Sequence, residues 1–216
     1  MEESTSREKI LKNIRNALIS KKENPFQDIE FESSVYKELG EALDVTFATE
    51  FTKVAGKFVY CENRKDFLQK LKMLMNENFW GTLFCKDQKI QAMLAKAEIP
   101  FQFDDKDFQH LKVGITPCEY LIARLGSVVI SSKNDSGRKL HFFPEIHIVL
   151  AYTSQLVPDI KHAIAGLQQN YGEEYPSMMT VITGSSRTAD IEKTLVMGAH
   201  GPKSVYVFLI DDQANS

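Results

Sequence analysis

Cysteine is scarce and scattered. Cys61, Cys85 and Cys118 are the only three in 216 residues, and no C-x-x-C pair occurs. That excludes a disulfide framework and a zinc or iron–sulfur centre built from clustered thiolates. The five histidines (His110, His141, His147, His162 and His200) show no H-x-x-x-H spacing, so no metal site is legible. Long apolar runs are missing too: the longest, from Val205 to Ile210, suits one buried strand and falls far short of the roughly 18 residues of a membrane span. Charge of one sign is not in excess, since 26 basic against 29 acidic residues leave a net charge of -3. Nucleic-acid binding needs a concentrated basic face, and none is present. The opening Met-Glu-Glu-Ser leads into a charged helical pattern without an apolar leader, so no secretory signal is expected and the address expected is cytoplasmic.

What the chain does contain is a core. Apolar residues make up 43%, with 14 Phe and 7 Tyr, enough for one large domain and too many for a disordered chain. Residues 4–20 read as an amphipathic helix, with Ile10, Leu11, Ile14, Ala17 and Leu18 on one stripe. Residues 21–31, with Asn24-Pro25, read as a polar linker. Such a helix either docks on a partner or a second copy, or folds back on its own domain.

Helices and strands alternate after that. Helices are predicted over residues 34–43, 64–75, 89–97, 116–125, 158–169 and 189–197. Strands are predicted over 45–48, 57–60, 82–85, 127–132, 140–143, 147–152, 178–183 and 204–210. Residues 101–110 read as a loop with a short turn of helix. Gly126 closes its helix at a C-cap position, and Pro158 opens the next. The pattern predicts an α/β fold with a largely parallel sheet and flanking helices.

The most informative stretch is Val181-Ile-Thr-Gly-Ser-Ser-Arg-Thr-Ala-Asp190. A strand runs into Gly184, Ser185, Ser186, Arg187 and Thr188 and then into a predicted helix, an arrangement in which N–H groups and hydroxyls gather around an anion. Arg187 adds a guanidinium fork for a carboxylate or phosphate. The loop is expected beyond the carboxyl ends of the sheet strands, where α/β proteins commonly bind ligands. The alternative is that Ser185, Ser186 and Thr188 cap the helix and Arg187 pairs with Asp190. Neither a Walker A loop nor a G-x-G-x-x-G fingerprint is present.

His200, in Met197-Gly-Ala-His-Gly-Pro-Lys203, is a candidate acid, base or ligand donor, or else a cap on backbone carbonyls. Simple topology places it at the opposite edge of the sheet from Gly184. Glu145 and His147 form a possible polar pair, although His147 reads first as a structural histidine. Cys61 and Cys85 read as buried small hydrophobes. Cys118 is expected near a helix start, where a thiolate is stabilised, with a structural thiol the favoured reading.

Four stretches together carry a family resemblance. They are Ile122-Ala-Arg-Leu-Gly-Ser127, Leu140-His-Phe-Phe-Pro-Glu-Ile-His-Ile-Val149, Leu156-Val-Pro-Asp159, and Ile182-Thr-Gly-Ser-Ser-Arg-Thr-Ala-Asp-Ile191 continuing to His200-Gly-Pro202. They resemble the LUD domain family, in its lactate-utilisation protein C (LutC/YkgG) branch, over about residues 110–210. Gly126, Pro144, His147, Asp190, His200, Gly201 and Pro202 are the other positions that match the family's motifs. The resemblance implies a Rossmann-like layered sheet of the NagB/RpiA/CoA-transferase type over residues 32–216, after an N-terminal helix and linker over 1–31. It implies a role in oxidising L-lactate to pyruvate beside LutA-like and LutB-like iron–sulfur proteins. The clusters would be on those partners, and this chain would bind no cofactor.

Two departures stand out. Arg124-Leu125 replaces the family's acidic residue and Thr before Gly126, and Ser185 replaces a proline. Glu119 is then the only nearby carboxylate for a glutamate-nucleophile mechanism.

Two functions follow as expectations. The first is an accessory or ligand-binding subunit of an iron–sulfur lactate-oxidation system, holding an anionic small molecule with residues 184–188. The second is a stand-alone sugar-phosphate or CoA-thioester enzyme on the same fold, with Glu119 and His200 as catalytic candidates. Neither nucleic acid nor membrane is an expected partner, and a homo-oligomer is left open.

Overall fold

Val205, Val207 and Leu209 alternate with Tyr206, Phe208 and Ile210 along one strand, and both sets are buried. A strand buried on both faces belongs inside a parallel sheet covered on each side. The computed structural model places it there. The structure describes residues 5–19, 36, 38–104, 111–136, 138–188, 196–198 and 200–213. Asp190, residues 189–195 of the expected last helix, the linker over 21–31 and residues 105–110 lie outside the described residues.

The chain divides into two units, residues 1–38 and 39–216. The first contains α1 (Ser6–Ile19), close to the predicted helix. Its start is fixed by a reciprocal pair: the Thr5 N–H donates to Glu8 Oε2 at 2.8 Å and the Glu8 N–H to Thr5 Oγ1 at 3.4 Å. Thr5 and Glu8 therefore form a capping box one residue before the Ser6–Lys9 spacing, which lacks one.

The second unit is built on a six-stranded sheet. Its spatial order is β1 (Lys57–Cys61), β12 (Ser204–Ile210), β7 (Ile146–Tyr152), β4 (Val113–Pro117), β2 (Leu83–Cys85) and β3 (Phe101–Gln102). Every neighbouring pair is parallel. On one face, α3 (Arg64–Glu77) and α4 (Gln88–Lys96) bury Phe67, Leu71, Ile90 and Leu94 against Ile115, Ile148, Leu150 and Phe208. Asn63 and Asp87 cap these helices, accepting from the N–H groups of Asp66 and Ile90.

On the other face lie α2 (Leu43–Lys53) and a second sheet. That sheet runs in the order β8 (Leu156–Val157), β5 (Tyr120–Ile122), β6 (Ser127–Ser131) and β9 (Met179–Ile182). Phe47, Phe51, Leu121, Val128 and Ile130 pack there on Val149, Val205 and Val207. The outer side of the second sheet is covered by α5 (Ile160–Tyr171), which packs Ala163 and Leu167 on Ile122 and Val129. An antiparallel ribbon of β10 (Arg187–Thr188) and β11 (Val196–Met197) completes the chain. The predicted α/β architecture with a mostly parallel sheet is thus observed.

Several local expectations are corrected. Residues 45–48 are helical in α2, although Val45 and Thr46 favour a strand, because Phe47 and Phe51 stack at 5.3 Å one helical turn apart. Each fully buried ring contributes roughly 1.5–3 kcal/mol, which outweighs a strand preference. The described residues before Leu43, including Gly40, are not helical, so the helix expected over 34–43 is not found there.

Residues 116–125 form the end of β4, β5 and a 3-10 turn (Ala123–Leu125) instead of a helix. Leu121 faces one core and Ile122 another, so burial on both faces erases the alternation that marks a strand. Gly126 still ends its turn, left-handed at φ 56°. Residues 140–143 are turns, and Val196–Met197 is a strand.

Candidate functional site

Parallel strands put all their amino ends on one side of the sheet, so the residues just before β4, β7 and β12 converge. These are Lys112, Glu145 and Lys203. The Ile146 N–H donates to the Lys112 carbonyl at 2.9 Å, and the N–H groups of Lys203 and Ser204 both donate to the Glu145 carbonyl, at 2.8 and 3.3 Å. The Lys203 ammonium donates to Glu145 Oε1 at 2.5 Å. That bond holds the Glu145 carboxyl below its usual range. Leu111, Phe143, Pro144, Gly198 and Gly201 complete the walls of a cleft of about 400 Å³.

The glycine loop borders this cleft. The Ser186 N–H donates to the Pro202 carbonyl at 3.0 Å, and the Gly198 N–H donates to the Ser186 carbonyl at 2.9 Å. Arg187 pairs with Met197 across the ribbon. Gly198 is required here: its φ is +77°, and a Cβ would meet Lys203 Cγ at 2.3 Å.

The structure therefore brings Gly184–Thr188 beside Gly201 and Pro202, correcting the expectation that topology separates them. It also corrects the placement of the loop. Ser185 Oγ donates to the Ala55 carbonyl at 3.2 Å, and Ala55 precedes β1 as Pro202 precedes β12. The loop lies at the amino ends of the six-stranded sheet, because β9, which feeds it, belongs to the second sheet.

Side chains, not backbone N–H groups, are what this cleft offers an anion. The Ser186 N–H is committed to Pro202, Ser185 is buried, and residues 187–188 are strand, not helix N-terminus. Arg187 is exposed, and its guanidinium has no hydrogen-bond or ion-pair partner among the described residues. Lys112 and His200 are also exposed. Of these, only Lys112 lines the cleft; with Lys203 it sets two ammonium groups against the one Glu145 carboxylate, leaving a surplus positive charge for a carboxylate or phosphate.

The other candidates sit elsewhere. Glu119 follows the carboxyl end of β4, a strand length of roughly 16–20 Å from the amino ends, so Glu119 and His200 do not share a site. Its carboxylate accepts from Ser131 Oγ at 2.5 Å and from the Tyr171 hydroxyl at 3.1 and 3.2 Å. Burial, with Glu119 beside it, pushes the Tyr171 phenol up to about 12. Cys118 is buried after a strand, not exposed at a helix start, and burial raises its thiol. Burial likewise pushes Cys61 and Cys85 up to about 12. Among the described residues no group of three His, Cys, Asp or Glu side chains is placed to hold a metal ion.

Arg124, a departure from the motif that the resemblance implies, is not a loose charge. Its Nε donates to Asp159 Oδ1 at 2.5 Å, in a largely buried pair. The alternative pairing of His147 with Glu145 is not found: His147 Nε2 lies 2.8 Å from Thr116 Oγ1, inside the protein. Burial, with the field of His141 added, lowers His147 to about 3; burial alone lowers His141 to about 4. Lys112 and Lys203 were not legible as site residues, because only the strand order brings them beside Glu145.

The LUD domain model matches residues 46–210. Lactate utilization protein C of Geobacillus thermodenitrificans is 39% identical over 106 residues, 48% of this chain and 44% of that protein. Lactate utilization protein C of Bacillus subtilis is 38% identical over 109 residues, 49% and 45% of the two chains. The uncharacterized protein YkgG of Escherichia coli is 37% identical over 106 residues, 48% and 46%. Each match spans less than half of the relative's own length. The crystal structure of a duf162 family protein from Deinococcus radiodurans superposes with a TM-score of 0.59 at 14% identity, covering 78% of this chain and 96% of that one. It shows the shared fold. Among the described residues no helix is long and apolar enough to cross a membrane.

Proposed function

The chain belongs to the LUD domain family, and on that footing we propose that it takes part in lactate utilisation as an accessory, ligand-binding subunit. Its ligand is a small carboxylate or phosphate held at the cleft by Lys112 and Lys203, with the exposed Arg187 of the adjoining ribbon reaching it. The observation that carries this reading is convergence: the stretch around Phe143–His147 and the stretch from Gly184 to Pro202 meet at one cleft with surplus positive charge. The likeness to lactate utilization protein C supplies the process.

Iron–sulfur chemistry belongs to partner chains in this reading. Cys61 and Cys85 lie on β1 and β2, four strand spacings or about 19 Å apart in the sheet, and cannot ligate one cluster.

The reading predicts that L-lactate or inorganic phosphate raises the protein's Tm. At one hundred times Kd the gain is about 2.7 kcal/mol. Arg187→Ala should abolish that gain and leave the ligand-free stability within about 1 kcal/mol, because the side chain is exposed. A ligand-free loss of several kcal/mol would assign Arg187 a structural role and remove it from the site. A wild-type protein indifferent to both anions contradicts the reading outright.

A further inference from the structure

Two helices end in a way that backbone sterics disfavour. Both α3 and α4 close with a Schellman motif: the Trp80 N–H donates to the Met75 carbonyl at 2.9 Å, and the Ile99 N–H to the Leu94 carbonyl at 2.9 Å. That motif puts the residue before the donor in the left-handed region, where glycine is the usual occupant. Here the residues are Phe79 at φ 54° and Glu98 at φ 55°. Both are exposed, Phe79 at 87%, so neither recovers the backbone cost by packing within the fold. A large side chain kept at such a position without a contact inside the fold calls for one outside it.

Both side chains line one open cavity of about 600 Å³. Met75, Trp80 and Ile99, all buried, form its inner wall. The rim is polar: Lys72, Asn76 and Glu98 are exposed there. Aromatic and aliphatic walls edged by an ammonium, an amide and a carboxylate suit a flat ring that is apolar on its faces and polar at its margin. A plain hydrocarbon chain has no use for that rim.

The cavity continues the row of residues that forms the anion cleft. Followed toward the amino ends, the strand registers set Lys203, Glu145, Lys112, Thr82 and Pro100 side by side, on β12, β7, β4, β2 and β3 in turn. Lys203, Glu145 and Lys112 line the cleft, whereas Pro100 and Gly81, the neighbour of Thr82, line the cavity. Strand spacing puts the Pro100 backbone about 10 Å from that of Lys112, with the exposed Thr82 between them. Trp80 also packs edge-on against Tyr206 of β12, ring centroids 5.5 Å apart. The inner wall of the cavity therefore reaches the strand that follows Lys203.

We propose that the cavity and the cleft together bind a nucleoside phosphate. The base enters the cavity between Phe79 and the wall of Trp80 and Ile99, with its polar margin at Asn76 and Glu98. The phosphate meets Lys112 and Lys203, and the ribose crosses the exposed Thr82. This rests on the reading of the cleft as an anion site and names the molecule that carries the anion. It also gives Phe79 and Glu98 the contact that their backbone conformation lacks within the fold.

AMP, adenosine and inorganic phosphate separate the two halves of the site. Trp80 is the only tryptophan in the chain, so its emission reports on the cavity. AMP is expected to shift that emission and to bind at least tenfold more tightly than phosphate; adenosine is expected to shift it only at higher concentration. Phe79→Gly should keep or raise the ligand-free Tm, because glycine adopts positive φ without strain. The same change should weaken AMP at least tenfold and leave phosphate binding as it was. Asn76→Ala, on an exposed helix face, should weaken AMP several-fold at unchanged Tm and tests the rim without touching the helix end.

AMP that binds no more tightly than phosphate, with Trp80 emission unmoved, overturns the proposal and leaves the anion site standing. So does an AMP affinity that neither variant changes. A fall in Tm of more than about 4 °C in Phe79→Gly also overturns it, since Phe79 would then be a packing residue. Failure of phosphate, L-lactate and AMP alike to bind removes the anion site together with this one.

Discussion

Between pH 7 and pH 4 the α/β unit is expected to lose several kcal/mol of stability, on the order of half or more of what a domain of this size has. The source is His141 and His147, buried and neutral, with the folded chain holding them at about 4 and about 3. In the unfolded chain each titrates near 6.5. Below that value the unfolded state binds protons that the folded state refuses, so stability falls as pH drops from about 6.5 towards 4 and levels off only beneath the folded values. With both groups engaged the slope approaches about 2.7 kcal/mol per pH unit. Urea midpoints at pH 7.0, 5.5 and 4.5 check this. A midpoint unchanged from pH 7 to pH 5 would mean that the rings are not buried as described. His141→Leu should remove about half of the slope.

Gly184→Ala should be among the most damaging single-methyl changes in the molecule, costing about 2–5 kcal/mol. Gly184 has a φ of +73°, and a Cβ there would stand 2.0 Å from the Val54 carbonyl oxygen. The left-handed backbone costs an alanine about 1–2 kcal/mol, and forcing a methyl into packed backbone adds about 1–3 kcal/mol or more. Gly126 presents the same case: φ is +56° and a Cβ would lie 2.3 Å from the Phe51 nitrogen. Both glycines let chain segments beside the second sheet press against the carboxyl-terminal end of α2, and both belong to the stretches that resemble the family. Gly172 is the control, because its φ is +51° but nothing lies within 4 Å of the added carbon. Gly172→Ala should therefore cost only the backbone preference. Similar losses for Gly172→Ala and Gly184→Ala in urea unfolding would contradict the packing account.

Much of the fold is legible in the sequence, and what is not has physical causes. β1, β6, β7 and β12 announce themselves as apolar runs closed by turns, and α3 as a one-sided stripe; the caps Asn63 and Asp87 show only in the structure. Residues 116–125 do not, because Leu121 and Ile122 face two different cores and the pattern loses its period. Residues 45–48 fail for the opposite reason: local preference points to a strand and the stacking of Phe47 on Phe51 overrides it. Gly184, Gly201 and Pro202 were legible as special residues. That they meet was not, because their contact depends on the order β1-β12-β7-β4 and on a ribbon that turns the chain back. Lys112 and Lys203 were silent for the same reason, each being one of many surface lysines until the strand register aligns them with Glu145.

On the proposed function, the protein works as one part of a lactate-oxidising assembly, with the redox centres on other chains. The most direct measurement is gentle affinity purification of the full-length protein from its own cells grown on lactate, with iron content and mass spectrometry read on what accompanies it. The account predicts near-stoichiometric, cysteine-rich, iron-bearing partners that are absent or reduced when the cells grow without lactate. An iron-free protein that purifies alone, even after chemical cross-linking in lactate-grown cells, would contradict it.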